Sequence, residues 1–235
     1  MNRAKVMPGW GRNKYMAVTN RLTAGGDLDR VYKGGTGKTT VAVNIAAALA
    51  GRTTVSVVDA DAQGSATVYA RSGNLPIEVL PLPLDDERGA NRWIERVLGI
   101  DSDIVVIDCP PHVGTTTESA VAIADLVLIP VIPSAADLVA TTAAVELVQR
   151  AVEARRDGGP RFMLVPSRVD RRTSAGREIE AALKKFGGRV APSIGQRAAF
   201  VDAFGAGEWI GDYAPRSTAA TEMEALAKAV RRLLK

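Results

Sequence analysis

From position 33 onward, short runs of β-branched and aliphatic residues alternate with longer stretches whose apolar positions recur every three or four residues. The runs at 54–59, 103–108, 126–129 and 161–165 predict buried strands. Between them, residues 134–156 repeat Leu138, Thr141, Val145, Val148 and Val152 as one apolar stripe, and Ser134 with Asp137 forms a capping pair at its start. Residues 174–186 place Ile179, Ala182, Leu183 and Phe186 on one face and Arg177, Lys184 and Lys185 on the other. A last amphipathic helix covers about 218–234. Strands alternating with helices predict an α/β domain, a mostly parallel twisted sheet flanked by helices on both faces.

The first 32 residues break this pattern. Asp27, Leu28, Asp29 and Arg30 put three charges into four positions just where a phosphate loop would need a buried strand before it. Residues 15–22 are a weaker strand candidate, set too far upstream. The reading is therefore an atypical N-terminal segment, 1–32, followed by one domain, 33–235. The Pro and Gly clusters at 81–83 and 158–160 read as loops inside that domain.

Composition narrows the chemistry without choosing it. The chain has 235 residues, enough for one core of this kind. A net charge of +4 permits contact with phosphate backbones and fits many enzymes equally well. One cysteine and one histidine exclude an internal disulfide and a soft-ligand metal centre within one chain. No apolar run approaches the ~20 residues of a membrane span, and the expected location is the cytoplasm.

The sharpest motif is Lys33-Gly34-Gly35-Thr36-Gly37-Lys38-Thr39-Thr40, opening an apolar helical run from Val41 to Ala50. Glycines let successive backbone N–H groups converge on phosphate oxygens, and the helix N-terminus adds its dipole. In this pattern Lys38 would reach the β- and γ-phosphates, Thr39 would ligate Mg²⁺ through its hydroxyl, and Gly37 would permit close backbone approach. The ordinary motif has glycine where this chain has Tyr32, and it does not require Lys33.

Two further segments end in carboxylates. In Val55-Ser-Val-Val-Asp59-Ala-Asp61-Ala-Gln63-Gly64, two acids stand at the carboxyl end of a strand, where α/β sheets hold their ligands. The strand 103–108 ends in Asp108, followed by Cys109-Pro-Pro-His112. An apolar strand that delivers one acid beside a phosphate loop suits Mg²⁺ held through a coordinated water. Cys109 and His112 read as a buried thiol and a loop imidazole rather than a nucleophile and base.

These motifs together resemble the ParA/MinD family of deviant Walker ATPases, with a P-loop NTPase fold, and the resemblance runs from Lys33 to the C-terminus. It implies ATP, ADP and Mg²⁺ as ligands and an ATP-dependent homodimer in which Lys33 reaches the partner's phosphates. It implies that Asp61 orients or polarises the attacking water, and that Asp59 supports the metal site and the loop sensing the terminal phosphate. Ala62 stands where the family has proline, which loosens that loop and removes no catalytic group. Arg168, in Arg168-Val-Asp-Arg-Arg-Thr173, falls near the nucleotide base, where a guanidinium plane suits stacking; a surface ion pair is the alternative.

With Ile194-Gly-Gln-Arg197, the chain looks most like short, plasmid-type (ParF-like) ParA proteins. That likeness implies a dimer that binds nonspecific double-stranded DNA, associates with the nucleoid when ATP-bound, and drives plasmid or DNA segregation with a centromere-binding ParB-like partner stimulating hydrolysis. Candidate phosphate-contacting cations are Arg171, Arg172, Arg177, Lys184, Lys185, Arg189, Arg197, Arg216, Arg231 and Arg232. Three alternatives stand beside it. One is a MinD-like action at a membrane through the last helix, where Met223, Leu226, Val230, Leu233 and Leu234 oppose Lys228, Arg231, Arg232 and Lys235. The others are a cargo-positioning ATPase acting on a protein assembly and a nucleotide-binding protein with impaired hydrolysis.

Overall fold

The computed structural model describes residues 13–19, 37–51, 53–84 and 86–235. Among these residues seven strands form one parallel sheet: β1 (Lys14–Val18), β2 (Val55–Asp59), β3 (Glu78–Pro81), β4 (Ile104–Asp108), β5 (Leu126–Val131), β6 (Arg161–Pro166) and β7 (Arg189–Val190). Their order is β3-β2-β4-β1-β5-β6-β7. All five residues of β2 and of β4 and all six of β5 are buried, because helices cover both faces of the sheet.

Alternation along the strands divides the core in two. Met16, Val18, Val57, Val106 and Leu128 face one layer, where α1 (Lys38–Leu49), α2 (Ser65–Tyr69), α7 (Ala198–Ala206), α8 (Ile210–Tyr213) and α9 (Thr218–Leu234) pack. Ala17, Val58, Val105, Ile107 and Val127 face the other, covered by α3 (Ala90–Leu98), α4 (Thr115–Ile123), α5 (Ala135–Ala154) and α6 (Ser174–Lys184).

Most of the expected elements are present within one or two residues. Ser134 caps α5, accepting the Asp137 amide at 3.0 Å and donating its hydroxyl to the Asp137 carboxylate. The helix stops at Ala154 because Arg155 turns extended, φ −100° and ψ 133°. The next helix ends at Lys184, two residues short of the expected end, in a turn closed by Gly187 at φ 75°.

Three strands correct the sequence reading. The weaker candidate at 15–22, expected to lie too far upstream, contains most of β1, which is the central strand, in register with β4 through Val18 and Asp108 and with β5 through Val18 and Leu128. Pro81, expected in a loop, closes β3, an edge strand where a missing N–H leaves no ladder bond unmade. The two-residue β7 carries too little pattern to be seen from sequence.

The last helix also resolves an open choice. Met223, Leu226 and Val230 are fully buried and Leu233 nearly so, packed in the first core layer with α1. The apolar face read as a possible membrane surface is core. No helix among the described residues is long and apolar enough to cross a membrane.

Candidate nucleotide site

The carboxyl ends of the central strands converge on the N-terminus of α1. Gly37 caps that helix in the left-handed conformation, φ 85°, which a side chain would strain. Among the described residues no side chain caps the first turn, whose leading amides lack intrahelical partners. Residues Lys33, Gly34, Gly35 and Thr36 lie outside the described residues.

Asp59 and Asp108 are register partners across β2 and β4, both essentially buried. Thr39 donates its hydroxyl to Asp108 Oδ2 at 2.7 Å. The other oxygen, Asp108 Oδ1, is buried without a hydrogen-bond partner. Burial pushes the Asp108 carboxyl up to about 7; the Thr39 hydrogen bond and the Lys38 charge pull it down, while Asp59 and Asp61 push it further up. Lys38 is itself buried, its ammonium acting on this carboxylate.

The residues fit a hard divalent cation: one oxygen of a buried carboxylate is unpartnered, and a hydroxyl stands beside the other. No group of three or more His, Cys, Asp or Glu side chains capable of holding a metal occurs among the described residues.

Asp59 turns away from this work. Its Oδ2 accepts both the amide and the hydroxyl of Thr67 at 2.7 Å, and its Oδ1 accepts the Asp61 amide at 3.3 Å. It therefore ties β2 to α2 and fixes the intervening loop. Asp61 accepts the Gln63 amide at 2.9 Å, a local turn that leaves the carboxylate half-buried at the loop's edge. Cys109 is buried, its thiol pushed up by burial and by Asp108, and its amide bonds the Val18 carbonyl. An un-ionised, enclosed thiol is no nucleophile. The His112 carbonyl accepts the Thr117 hydroxyl at 2.9 Å, bracing the turn into α4.

A cavity of about 970 Å³ extends from Gly37 and Thr40 to the ends of β6 and β7, walled by 167–172 and 193–198. The two walls are zipped together: the Val169 amide bonds the Ile194 carbonyl at 3.0 Å and the Gln196 amide the Val169 carbonyl at 3.2 Å. Arg168 lines the cavity at φ 52°, a left-handed conformation that costs a non-glycine residue about 1 kcal/mol or more. The structure thus brings Arg168, Gly37 and Thr40 to one cavity.

Several of the cations proposed for DNA are already engaged. Arg171 pairs with Glu180, Arg172 with Asp170 and Arg197 with Glu222, at 2.7–2.9 Å. Arg177 donates to the Arg172 carbonyl and Arg231 to the Ala48 carbonyl. Lys184, Lys185, Arg189, Arg216 and Arg232 are exposed and make none of the salt bridges found among the described residues.

Sequence reasoning overlooked a buried link behind the site. Asn44, fully enclosed in α1, donates to the Thr40 carbonyl at 2.9 Å and the Tyr69 hydroxyl at 3.3 Å and accepts the Ile210 amide at 2.7 Å. Tyr69 in turn donates to the Glu208 carbonyl at 2.9 Å. The available signal was one amide side chain inside the otherwise apolar run 41–50.

Residues 32–210 match the model of the CobQ/CobB/MinD/ParA nucleotide-binding domain. The chain is 31% identical over 176 residues to the maintenance of carboxysome distribution protein A of Halothiobacillus neapolitanus, covering 73% of this chain and 79% of that protein. It is 32% identical over 232 residues to the chromosome-partitioning ATPase Soj of Thermus thermophilus, covering 84% and 92%. The fold superposes on the septum-site-determining protein MinD of Pyrococcus horikoshii, solved with Mg-ADP, with a TM-score of 0.72 at 21% identity, covering 94% of this chain and 97% of that one. The parallel sheet, the α1 N-terminus above it and the match over residues 32–210 make this chain a member of the ParA/MinD nucleotide-binding family.

Proposed function

We propose that this protein is an ATP hydrolase that switches between monomer and ATP-bound homodimer, and that the dimer holds cargo on nonspecific double-stranded DNA. The observation that carries the nucleotide reading is the Thr39–Asp108 pair, with its unpartnered buried oxygen, beside the start of α1.

In this reading the α1 amides and Lys38 bind the β- and γ-phosphates, and Thr39 with Asp108 holds Mg²⁺, which when bound offsets phosphate charge. Gly34, Gly35, Thr36, Gly37 and Thr40 shape the loop around the phosphates. Asp61 orients the water, Asp59 fixes the loop that carries Asp61, and Arg168 sits at the base. Lys33 acts on the partner's phosphates. DNA binding draws on the exposed cations and becomes steep in ATP because dimerisation doubles the positive surface. A centromere-binding ParB-like partner stimulates hydrolysis and release, and the cargo is a replicon.

A second reading keeps the switch and changes the cargo to a protein assembly. Its support is the likeness to the carboxysome-distribution protein, at nearly the same identity as the likeness to Soj.

The test is anisotropy with random-sequence duplex DNA and Mg²⁺, comparing ATP, ADP and no nucleotide across salt, alongside phosphate release. ATP-only binding that Lys33→Ala abolishes supports the switch. Binding indifferent to nucleotide, or none at all, overturns it.

A further inference from the structure

Glu222 stands on α9, which otherwise serves the core, yet its carboxylate reaches the wall of the nucleotide cavity. One oxygen accepts the Gly195 amide at 3.0 Å, and the other accepts the Arg197 guanidinium at 2.7 Å. The carboxylate is the more enclosed partner, 17% exposed against 42% for Arg197. Gly195 forms an isolated parallel bridge with Val169, next to Arg168. A Cβ at Gly195 would fall 2.7 Å from the Arg197 side chain, so the guanidinium lies across the glycine. Anchored this way, 193–197 faces Gly37 and Thr40 across the cavity.

We propose that Glu222 is a positioning residue for the base end of the nucleotide site, setting the 193–197 wall through Gly195 and Arg197. The inference rests on the nucleotide reading above and goes beyond it by assigning a role to a side chain on a helix remote from the phosphate loop. In this role the carboxylate acts through the loop it holds rather than on the nucleotide. It replaces the water that would otherwise satisfy a loop amide and a guanidinium, and a charge-assisted pair holds the loop in one geometry better than water does. Because α9 is packed into the core along its opposite face, the anchor is rigid.

The test titrates full-length protein in Mg²⁺ with ATP, GTP and inorganic tripolyphosphate, which engages the phosphate end alone. Glu222→Ala is expected to weaken ATP about tenfold while leaving tripolyphosphate within about twofold of the unsubstituted chain. Glu222→Gln keeps an acceptor for the Gly195 amide and is expected to recover part of the loss. Arg197→Ala, which severs only the guanidinium arm, is expected to fall between the native chain and Glu222→Ala. An equal loss for ATP and tripolyphosphate, or an unchanged ATP affinity in Glu222→Ala, overturns the assignment. If the unsubstituted chain binds neither ATP nor tripolyphosphate, the nucleotide reading itself fails. If it binds both and the variants match it, only the role of Glu222 fails.

Discussion

The side-chain carbonyl of Asn44 accepts the backbone amide of Ile210 at 2.7 Å, joining two residues 166 positions apart in the chain. Through Tyr69 the same amide group reaches α2, which follows directly on the Asp59–Asp61 loop. The first helix, the segment that follows the Asp61 loop and residues 208–210 therefore share one buried polar junction. Asn44→Ala would strand the Ile210 amide and remove one of the two partners of the Tyr69 hydroxyl, which keeps the Glu208 carbonyl, and is expected to cost about 2–4 kcal/mol in urea unfolding. Tyr69→Phe removes one hydroxyl and leaves the ring in place against Phe204, so about 1 kcal/mol is expected. Equal costs for the two variants would argue against the junction being centred on Asn44.

Magnesium dependence is the expected signature of the Thr39–Asp108 pair. Thr39→Ala and Asp108→Asn should each bind nucleotide with little difference between Mg²⁺ and EDTA, whereas the native chain should gain about tenfold or more from the ion. Calorimetric titration in the two buffers measures this. A native chain indifferent to Mg²⁺ would contradict the metal assignment.

Burial holds the Asp108 carboxyl at about 7, above its ordinary value, so the folded chain takes up this proton more readily than the unfolded one. The stability it contributes is full below about pH 4, declines as pH rises and is lost above about 7. In EDTA without nucleotide, Asp108→Asn is expected to flatten the fall of melting temperature between pH 5 and about 8 that the native chain shows, with a gain on the order of 1–3 kcal/mol at the upper end. Parallel curves for the two proteins would remove Asp108 as the cause.

The two lysines of the loop should separate by assay. Lys38→Ala is expected to lose nucleotide affinity in the monomer, since its ammonium already acts within the buried phosphate end. Lys33→Ala should retain monomer binding and lose ATP-dependent dimerisation, read by light scattering after chromatography. Dimers of unchanged stability in Lys33→Ala would end the cross-subunit role.

For α9 the expected cost of Leu226→Ala is about 2–5 kcal/mol, as for a leucine fully enclosed in a core. Vesicles of anionic lipid should pull down no more of the native chain than neutral ones do. Lipid binding that Leu226→Ala abolishes without lowering stability would restore the membrane reading.

Periodicity and motif chemistry made much of this protein legible from its sequence. Alternating strand and helix patterns determined the α/β class, because buried parallel strands must be apolar on both faces. The spacing of Gly37, Lys38 and Thr39 and the acids at strand ends singled out the candidates for phosphate and metal contact, because such candidates are read from residue type at fixed local positions. What depended on long-range contact was decided only by the tertiary structure. Residues 14–18 carry a short, mixed pattern, and only pairing with β4 and β5 makes them the central strand, 20 positions before Lys38. The apolar face of α9 reads identically as membrane surface or core, and the partner that covers it decides. Asn44 and Glu222 are polar residues whose work is set by what they meet from other segments, Ile210 and Gly195, and sequence spacing holds no record of those meetings.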